Sequence, residues 1–239
     1  MKEILVYSAA IGGAAPHTEH HLKRLGIPLV HHPTPDVTHL LLDVPSRDIP
    51  DGLLERLPET VCIVGGNLDQ TVPQGYRALD LLKHEAYLAQ NAAITADCAM
   101  RVAAARMQSA FSGTSVLVIG WGRIGKCLAR LLKNNGCYVT VAARSCADRA
   151  MLNALGYDAL PTDSIHGLHR FNLIFNTAPA PILDREALSR CPNTLKIDLA
   201  SSQGLEGADV IWARGLPGLY APESAGRLIA ETFVKEVTP

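Results

Sequence analysis

The chain has 239 residues, of which 48% are hydrophobic and 19% charged, and its formal net charge is −1. That length and composition fit one large or two modest globular domains with a sizeable core. They argue against a strongly basic nucleic-acid surface, and no apolar run approaches the length of a membrane span.

The six cysteines include no CxxC pair, and several lie in apolar runs. They read as reduced thiols of a cytoplasmic protein rather than as a disulfide or zinc framework. At the N-terminus Ile4-Leu5-Val6-Tyr7 is too short for a signal-peptide core and reads as a strand. Further strands are expected at 28–31, 39–42 and 61–64, with helices near 17–25 and 51–57. This alternation predicts a small parallel α/β layer, flavodoxin-like in its order of elements, over residues 1–90. His17, Glu19, His20 and His21 share this region, but no further ligand is identifiable, so no metal site is assigned.

A helical stretch follows from about Gly75 to Phe111. It either breaks near Asn91–Thr95, with Thr95 as N-cap of a second helix, or runs on as one bent helix. Asp97 and Cys98 then fall near a helix start. Asp97 is a candidate base, or an acid complementing the helix dipole, and Cys98 reads as a small packing residue.

From Ser115 the strands come quickly, at 116–119, 138–142, 158–160, 172–175, 195–199 and 210–212. Gly136 and Gly156 stand where two intervening helices should end. Six such strands make a Rossmann-type doubly wound parallel sheet over residues 91–223. A closing helix over 224–239 can pack on the first domain.

The most specific motif is Gly120-Trp121-Gly122-Arg123-Ile124-Gly125, directly behind the apolar run Ser115–Ile119. Strand, GxGxxG turn and amphipathic helix in that order form the start of a dinucleotide-binding unit. Gly120 serves the tight turn, Gly122 the approach of the pyrophosphate, and Gly125 the packing of helix on sheet. The helix N-terminus offers unpaired N–H groups and a partial positive charge. After the second strand, Ala143-Arg144-Ser145 stands where an NAD site usually carries an acid. A guanidinium and a hydroxyl suit a 2′-phosphate, which favours NADP, with NAD as the alternative.

Later strand ends supply the remaining candidates. Asn176, Thr177 and Pro179 follow one strand and are placed to reach cofactor or substrate. Asp198 lies within the next strand and is at least as readily structural as catalytic. Ser201 beyond it is the better placed contact. In the loop Gly215–Gly226, Gly218, Pro222 and Ser224 are substrate candidates, with Ser224 a possible helix cap. Gly12 and Gly13 offer backbone N–H groups to a carboxylate, and Thr95 also faces the substrate side. The catalytic residue is not fixed by the sequence, its candidates being Asp97, Asn176 and Ser201.

These segments carry a resemblance. Asn91–Thr95, Gly120–Gly125, Ala143-Arg144-Ser145, Phe175-Asn176-Thr177-Ala178-Pro179, Ile197-Asp198-Leu199-Ala200-Ser201 and Gly215–Gly226 occur in the same order as in the dipicolinate synthase A-subunit family, over roughly residues 85–235. That family is similar in fold to the D-2-hydroxyacid dehydrogenases. The resemblance implies an NAD(P)-dependent oxidoreductase of sporulation that forms pyridine-2,6-dicarboxylate from a tetrahydrodipicolinate-type precursor. It also implies a small dicarboxylate substrate and a second, flavoprotein-like subunit as partner. Homodimers are common for this architecture, so a homodimer is the expected assembly. The chain has Ser202-Gln203-Gly204-Leu205-Glu206-Gly207 where the family has a Pro-Gly-Gly loop. It also lacks the family's acid–arginine pair after Gly12-Gly13. These departures keep open a non-catalytic dinucleotide-binding subunit or sensor with degraded substrate loops.

Overall fold

The computed structural model describes residues 4–238. The chain divides into two compact units. One takes the chain up to Ile94 together with the segment from Pro217 onward, and the other is Thr95–Leu216.

In the first unit the elements are β1 (Val6–Ser8), α1 (Ala15–Arg24), β2 (Leu29–Val30), β3 (His39–Leu41), β4 (Cys62–Gly65), α2 (Leu68–Thr71), β5 (Arg77–Asp80) and the start of α3 (Glu85–Ala104). The strands form one parallel sheet in the order β2-β1-β3-β4-β5, with its switch point between β1 and β3. This is the flavodoxin-like order, in which ligands bind outside the strand ends at the switch point. Apolar side chains fill both faces of the sheet. Val6, Leu22, Leu41, Val64 and Phe233 lie on one side, and Leu40, Val61 and Ile63 on the other.

The second unit continues α3 and then runs β6 (Ser115–Ile119), α4 (Arg123–Asn134), β7 (Tyr138–Ala142), α5 (Cys146–Ala154), β8 (Asp158–Leu160), β9 (Leu173–Asn176), α6 (Arg185–Ser189), β10 (Leu195–Asp198) and β11 (Val210–Trp212). All its strands are parallel, in the order β11-β10-β9-β6-β7-β8. Counted within the unit this is 3-2-1-4-5-6 read from β8, the doubly wound order predicted from the sequence. Gly136 and Gly156 close α4 and α5 with φ of 78° and 73°, left-handed conformations that a glycine adopts without strain.

The C-terminal segment carries α7 (Leu216–Tyr220) and α8 (Pro222–Val237). A Cβ at Gly226 would come within 2.6 Å of both the His17 Cβ and the Thr18 N, so α8 crosses α1 with backbones nearly touching. His21 Nε2 lies 3.0 Å from Glu223 Oε1 across the same pair of helices. Phe233 on α8 is fully buried, and its truncation to Ala would cost about 3–5 kcal/mol.

Several expectations need correction. The helix expected over 51–57 is only a 3-10 turn at Leu54–Arg56. The helix expected from Gly75 starts at Glu85, because Arg77–Asp80 pairs as an edge strand with Cys62–Gly65. Asp80 ends that strand by accepting hydrogen bonds from the backbone N–H of Leu68 and Leu82. From Glu85 to Ala104 the helix is unbroken, so Thr95 caps nothing and Asp97 is not in a first turn. The unit boundaries fall at 94/95 and 216/217 rather than 90/91 and 223/224. The segment from Pro217 joins the first unit because α8 packs on α1, and the Gly218 carbonyl fills the space where a Gly13 side chain would lie.

The second sheet buries one cation. Lys196 on β10 is 0% exposed and its ammonium donates to the carbonyls of Cys191 (2.8 Å) and Thr194 (3.1 Å) and to Asp209 Oδ2 (2.5 Å). The hydrogen bond from Lys196 holds the Asp209 carboxyl below the usual carboxylate range, against partial burial, which acts in the opposite direction. A lowered pKa stabilises the fold above the unfolded-state value of about 3.9, and this contribution is lost as pH falls through the folded value. The change Asp209→Asn should cost about 1–3 kcal/mol at neutral pH by urea denaturation. The difference from the unmodified protein should shrink below about pH 4. A pH-independent difference would show that the ion pair is not its source.

Candidate functional site

The glycine turn lies at the switch point of the second sheet, between the ends of β6 and β9. Gly120 has φ of 101°, and a Cβ there would sit 2.5 Å from Thr177 Oγ1. A Cβ at Gly125 would run into the Gly120 carbonyl, so α4 is pressed directly onto the strand end. Thr177 fastens the turn from the neighbouring strand, donating both its N–H (2.8 Å) and its hydroxyl (2.9 Å) to the Ile119 carbonyl. Gly122 differs from both. It is the N-cap residue of α4, no side chain caps the helix there, and a Cβ would meet nothing within 4 Å. The turn is therefore rigid behind and open in front, where α4 presents its first N–H groups. These residues fit a phosphate.

Trp121 packs edge-on against Tyr157 with ring centroids 5.9 Å apart, and the Lys126 ammonium lies 5.9 Å from the indole centre. Ile124 is half-buried behind the turn and Arg123 is exposed at its front.

At the end of β7, Ala143 is buried while Arg144 and Ser145 are exposed. Ser145 Oγ accepts from the Asp148 N–H at 3.3 Å and so caps α5. No acid stands at positions 143–145. Arg149, which the sequence reading did not single out, donates from Nη1 to the Ala143 carbonyl (2.8 Å) and the Arg144 carbonyl (2.7 Å). The only sequence signal for it is a second arginine five residues after Arg144.

The ends of β9 and β10 are tied together. Asp198 is fully buried and accepts from Asn176 Nδ2 (3.0 Å), Ala200 N (2.9 Å), Gly204 N (2.7 Å) and Leu205 N (3.0 Å). Asn176 also donates to the Ala178 carbonyl and accepts the Ala178 N–H. Both N–H groups of its amide are thereby used and its oxygen accepts one bond, so Asn176 clips the two strand ends together. Asp198 is structural for the same reason. Gly204 belongs in this clip, since a Cβ there would sit 2.6 Å from Asn176 Nδ2. Ser201 and Pro179 are exposed on the loops held by these bonds.

Two other candidates resolve differently. Asp97 is exposed on α3 and pairs with Arg101 at 2.7 Å, an i,i+4 surface pair. Burial raises the Cys98 thiol above its ordinary value, outweighing the opposing Arg101 charge, as befits a packing residue.

In the first unit, Gly12 and Gly13 follow β1 at the switch point. The N–H groups of Ile11 (3.2 Å) and Gly12 (2.9 Å) are already taken by the two oxygens of Asp43, from the loop after β3. Gly13 is small because Gly218 backs onto it. A protein carboxylate thus fills the role that the sequence reading gave Gly12 for a substrate carboxylate. Pro222 is the first residue of α8 and Ser224 lies within its first turn, so Ser224 is not the cap. That position is Ala221, without a side-chain bond. Thr95 lies inside α3 and is buried.

Comparison with known proteins follows the same lines. The sequence model of the Shikimate / quinate 5-dehydrogenase family matches residues 101–206, the span containing the glycine turn and the Asn176–Asp198 clip. The dipicolinate synthase A-subunit of Bacillus subtilis (strain 168) is 30% identical over 197 residues, which are 76% of this chain and 66% of that protein's length. Among solved structures, the dipicolinate synthase A-subunit from Bacillus halodurans superposes with a TM-score of 0.85 at 21% identity, covering 100% of this chain and 99% of that one. A transhydrogenase from Sinorhizobium meliloti superposes with a TM-score of 0.76 at 17% identity over 98% and 83% of the two chains. At these identities the structural likenesses establish the fold. Among the described residues no helix is long and apolar enough to cross a membrane.

The structural and catalytic readings of Asp198 make opposite predictions. Asp198→Ala strands three backbone N–H groups and an amide, and should cost more than about 3 kcal/mol in chemical denaturation. A variant with unchanged stability would return Asp198 to the catalytic candidates.

Proposed function

Because the chain is a homologue of the dipicolinate synthase A-subunit, we propose that it is an NADP(H)-linked oxidoreductase. It would form pyridine-2,6-dicarboxylate from a tetrahydrodipicolinate-type precursor with the help of a second subunit. The observation that carries the cofactor part is the open Gly122 at the head of α4, between two glycines that packing requires. Arg144 and Ser145, with no acid beside them, favour the 2′-phosphate form.

The cofactor supplies hydride chemistry when bound. The chain itself binds and orients. Gly120, Trp121, Gly122, Arg123, Ile124 and Gly125 hold the pyrophosphate through backbone N–H groups. Ala143, Arg144 and Ser145 receive the adenosine ribose. Thr177 and Pro179 border the nicotinamide end, on a loop that Asn176 braces. For the substrate, the proposed contact in the second unit is the exposed hydroxyl of Ser201, Thr95 being withdrawn because it is buried inside α3. In the first unit the Ser224 hydroxyl and the backbone at Gly218 and Pro222 remain candidates, beside the uncapped N-terminus of α8. Ser201 is the catalytic candidate that is exposed and, unlike Asp97 and Asn176, has no side-chain partner among the described residues. Gly12 is removed from the carboxylate role because Asp43 already binds its N–H.

That same occupancy favours a second reading, a dinucleotide-binding subunit or sensor without turnover of its own. The two separate in one assay. The protein is mixed with a tetrahydrodipicolinate-type precursor and NADP⁺ or NAD⁺, both in the presence of the second subunit and without it. Absorbance at 340 nm and dipicolinate are followed. Turnover in any combination supports the enzyme, and tight cofactor binding with none in all of them supports the sensor.

Two substitutions test the cofactor site. Gly122→Val should leave thermal stability nearly unchanged and weaken dinucleotide binding by at least about tenfold, since its side chain enters the space meant for phosphate. Arg144→Asp should lower NADP(H) affinity by about ten- to a hundredfold and shift preference towards NAD(H). Unchanged NADP(H) affinity would remove the 2′-phosphate assignment.

A further inference from the structure

We propose that Arg149 is a specificity-determining positioning residue for the cofactor's ribose. It acts by occupying the backbone acceptors that a 2′-hydroxyl would use, and so leaves the pocket suited to a 2′-phosphate. This rests on the NADP(H) reading above and adds to it a residue that neither the motif nor Arg144 supplies.

The turn after β7 is where the ribose edge falls in a sheet of this order. A 2′-hydroxyl is bound by donating to an acceptor, commonly an acid at this place, and positions 143–145 hold none. The backbone acceptors left in the turn are the carbonyls of Ala143 and Arg144, that of Ser145 being taken by the Arg149 N–H. Arg149 Nη1 takes both, at 2.8 and 2.7 Å, one hydrogen to each. The bonds draw the partial negative charge of the two carbonyls towards the guanidinium, which removes repulsion on a phosphate and an attraction on a hydroxyl.

Three further details follow from the same bonds. First, the turn is held on both of its carbonyls, so the exposed Arg144 side chain starts from a fixed backbone. Second, Nη1 is saturated while Nε and Nη2 show no bond among the described residues, so the guanidinium keeps donors and its full charge at the rim of the turn. Third, Ser145 uses its hydroxyl oxygen to accept from the Asp148 N–H, which leaves its proton to donate outward. The acid nearest in sequence, Asp148, lies in the first turn of α5, where the helix N-terminus offsets its charge.

Lysine cannot reproduce this arrangement with the same geometry, because a point-like ammonium replaces a planar fork. A neutral side chain of similar length frees both carbonyls. The test therefore uses Arg149→Met and Arg149→Lys in the full chain, with NADPH and NADH titrated by calorimetry and thermal melting run in parallel. The expected result for Arg149→Met is NADPH binding weakened by about tenfold or more, the scale of one charged hydrogen bond, with NADH binding unchanged or tighter. Arg149→Lys should fall between this variant and the unmodified protein, and it carries the test if Arg149→Met does not fold. Equal weakening of both cofactors, or an unchanged ratio, would overturn the proposal and leave Arg149 a plain structural staple. If the unmodified protein prefers NADH, the NADP(H) reading itself fails. If it prefers NADPH and the preference survives both variants, only the role of Arg149 fails.

Discussion

Between the end of β6 and the start of α4 there is no room for a side chain. The carbonyl of Gly120 occupies the place of a Gly125 Cβ, and Thr177 closes the other side of Gly120. This contact sets the direction in which α4 leaves the sheet and brings its N-terminal N–H groups to the switch point. Its cost is two positions restricted to glycine, one of them at φ of 101°. Gly122, between them, is under no such constraint, and its smallness faces outward. Packing thus accounts for two glycines of the motif, whereas the third stands open at the N-cap of α4.

The strand ends around this turn are fixed by polar groups that the fold uses up internally. Asp198 gathers an amide and three backbone N–H groups, Asn176 has both of its N–H groups engaged, and Arg149 bridges two carbonyls. Asp43 does the same for the loop after β1 in the first unit. Buried or half-buried polar groups of this kind are costly when unpaired and stiffening when paired. They make a frame that carries exposed groups such as Ser201, Arg144 and Pro179 on short, braced loops. Lys196, with two carbonyls and Asp209, anchors the far edge of the same sheet.

This division between bracing and exposed residues bears on function. Of the groups first considered for catalysis, Asp97 and Asn176 are engaged elsewhere and Ser201 is left. The glycine turn of the second unit is open at its front, whereas in the first unit the Gly12 N–H is taken by Asp43 and the Gly218 carbonyl backs onto Gly13. The cradle therefore supports what is bound more directly than what is made.

Local pattern was enough to determine the doubly wound second sheet, its strand sequence, the helix-ending glycines and the glycine turn. Each of these rests on residues adjacent in the chain, on apolar runs or on the backbone freedom of glycine. Where the pattern was ambiguous, as at Leu79, the sequence suggested helix and pairing with β4 made a strand, with a 3-10 turn at Leu81–Lys83 behind it. Tertiary structure alone decided which polar residues are spent and which are offered. Asp43 meets Ile11 and Gly12 from the loop after β3, Asp198 meets Asn176 across neighbouring strands, and Glu223 meets His21 across two helices from the far end of the chain. A carboxylate has the same chemistry in the sequence whether it serves a substrate or a backbone N–H. Only the fold determines which of these partners lies within hydrogen-bonding distance.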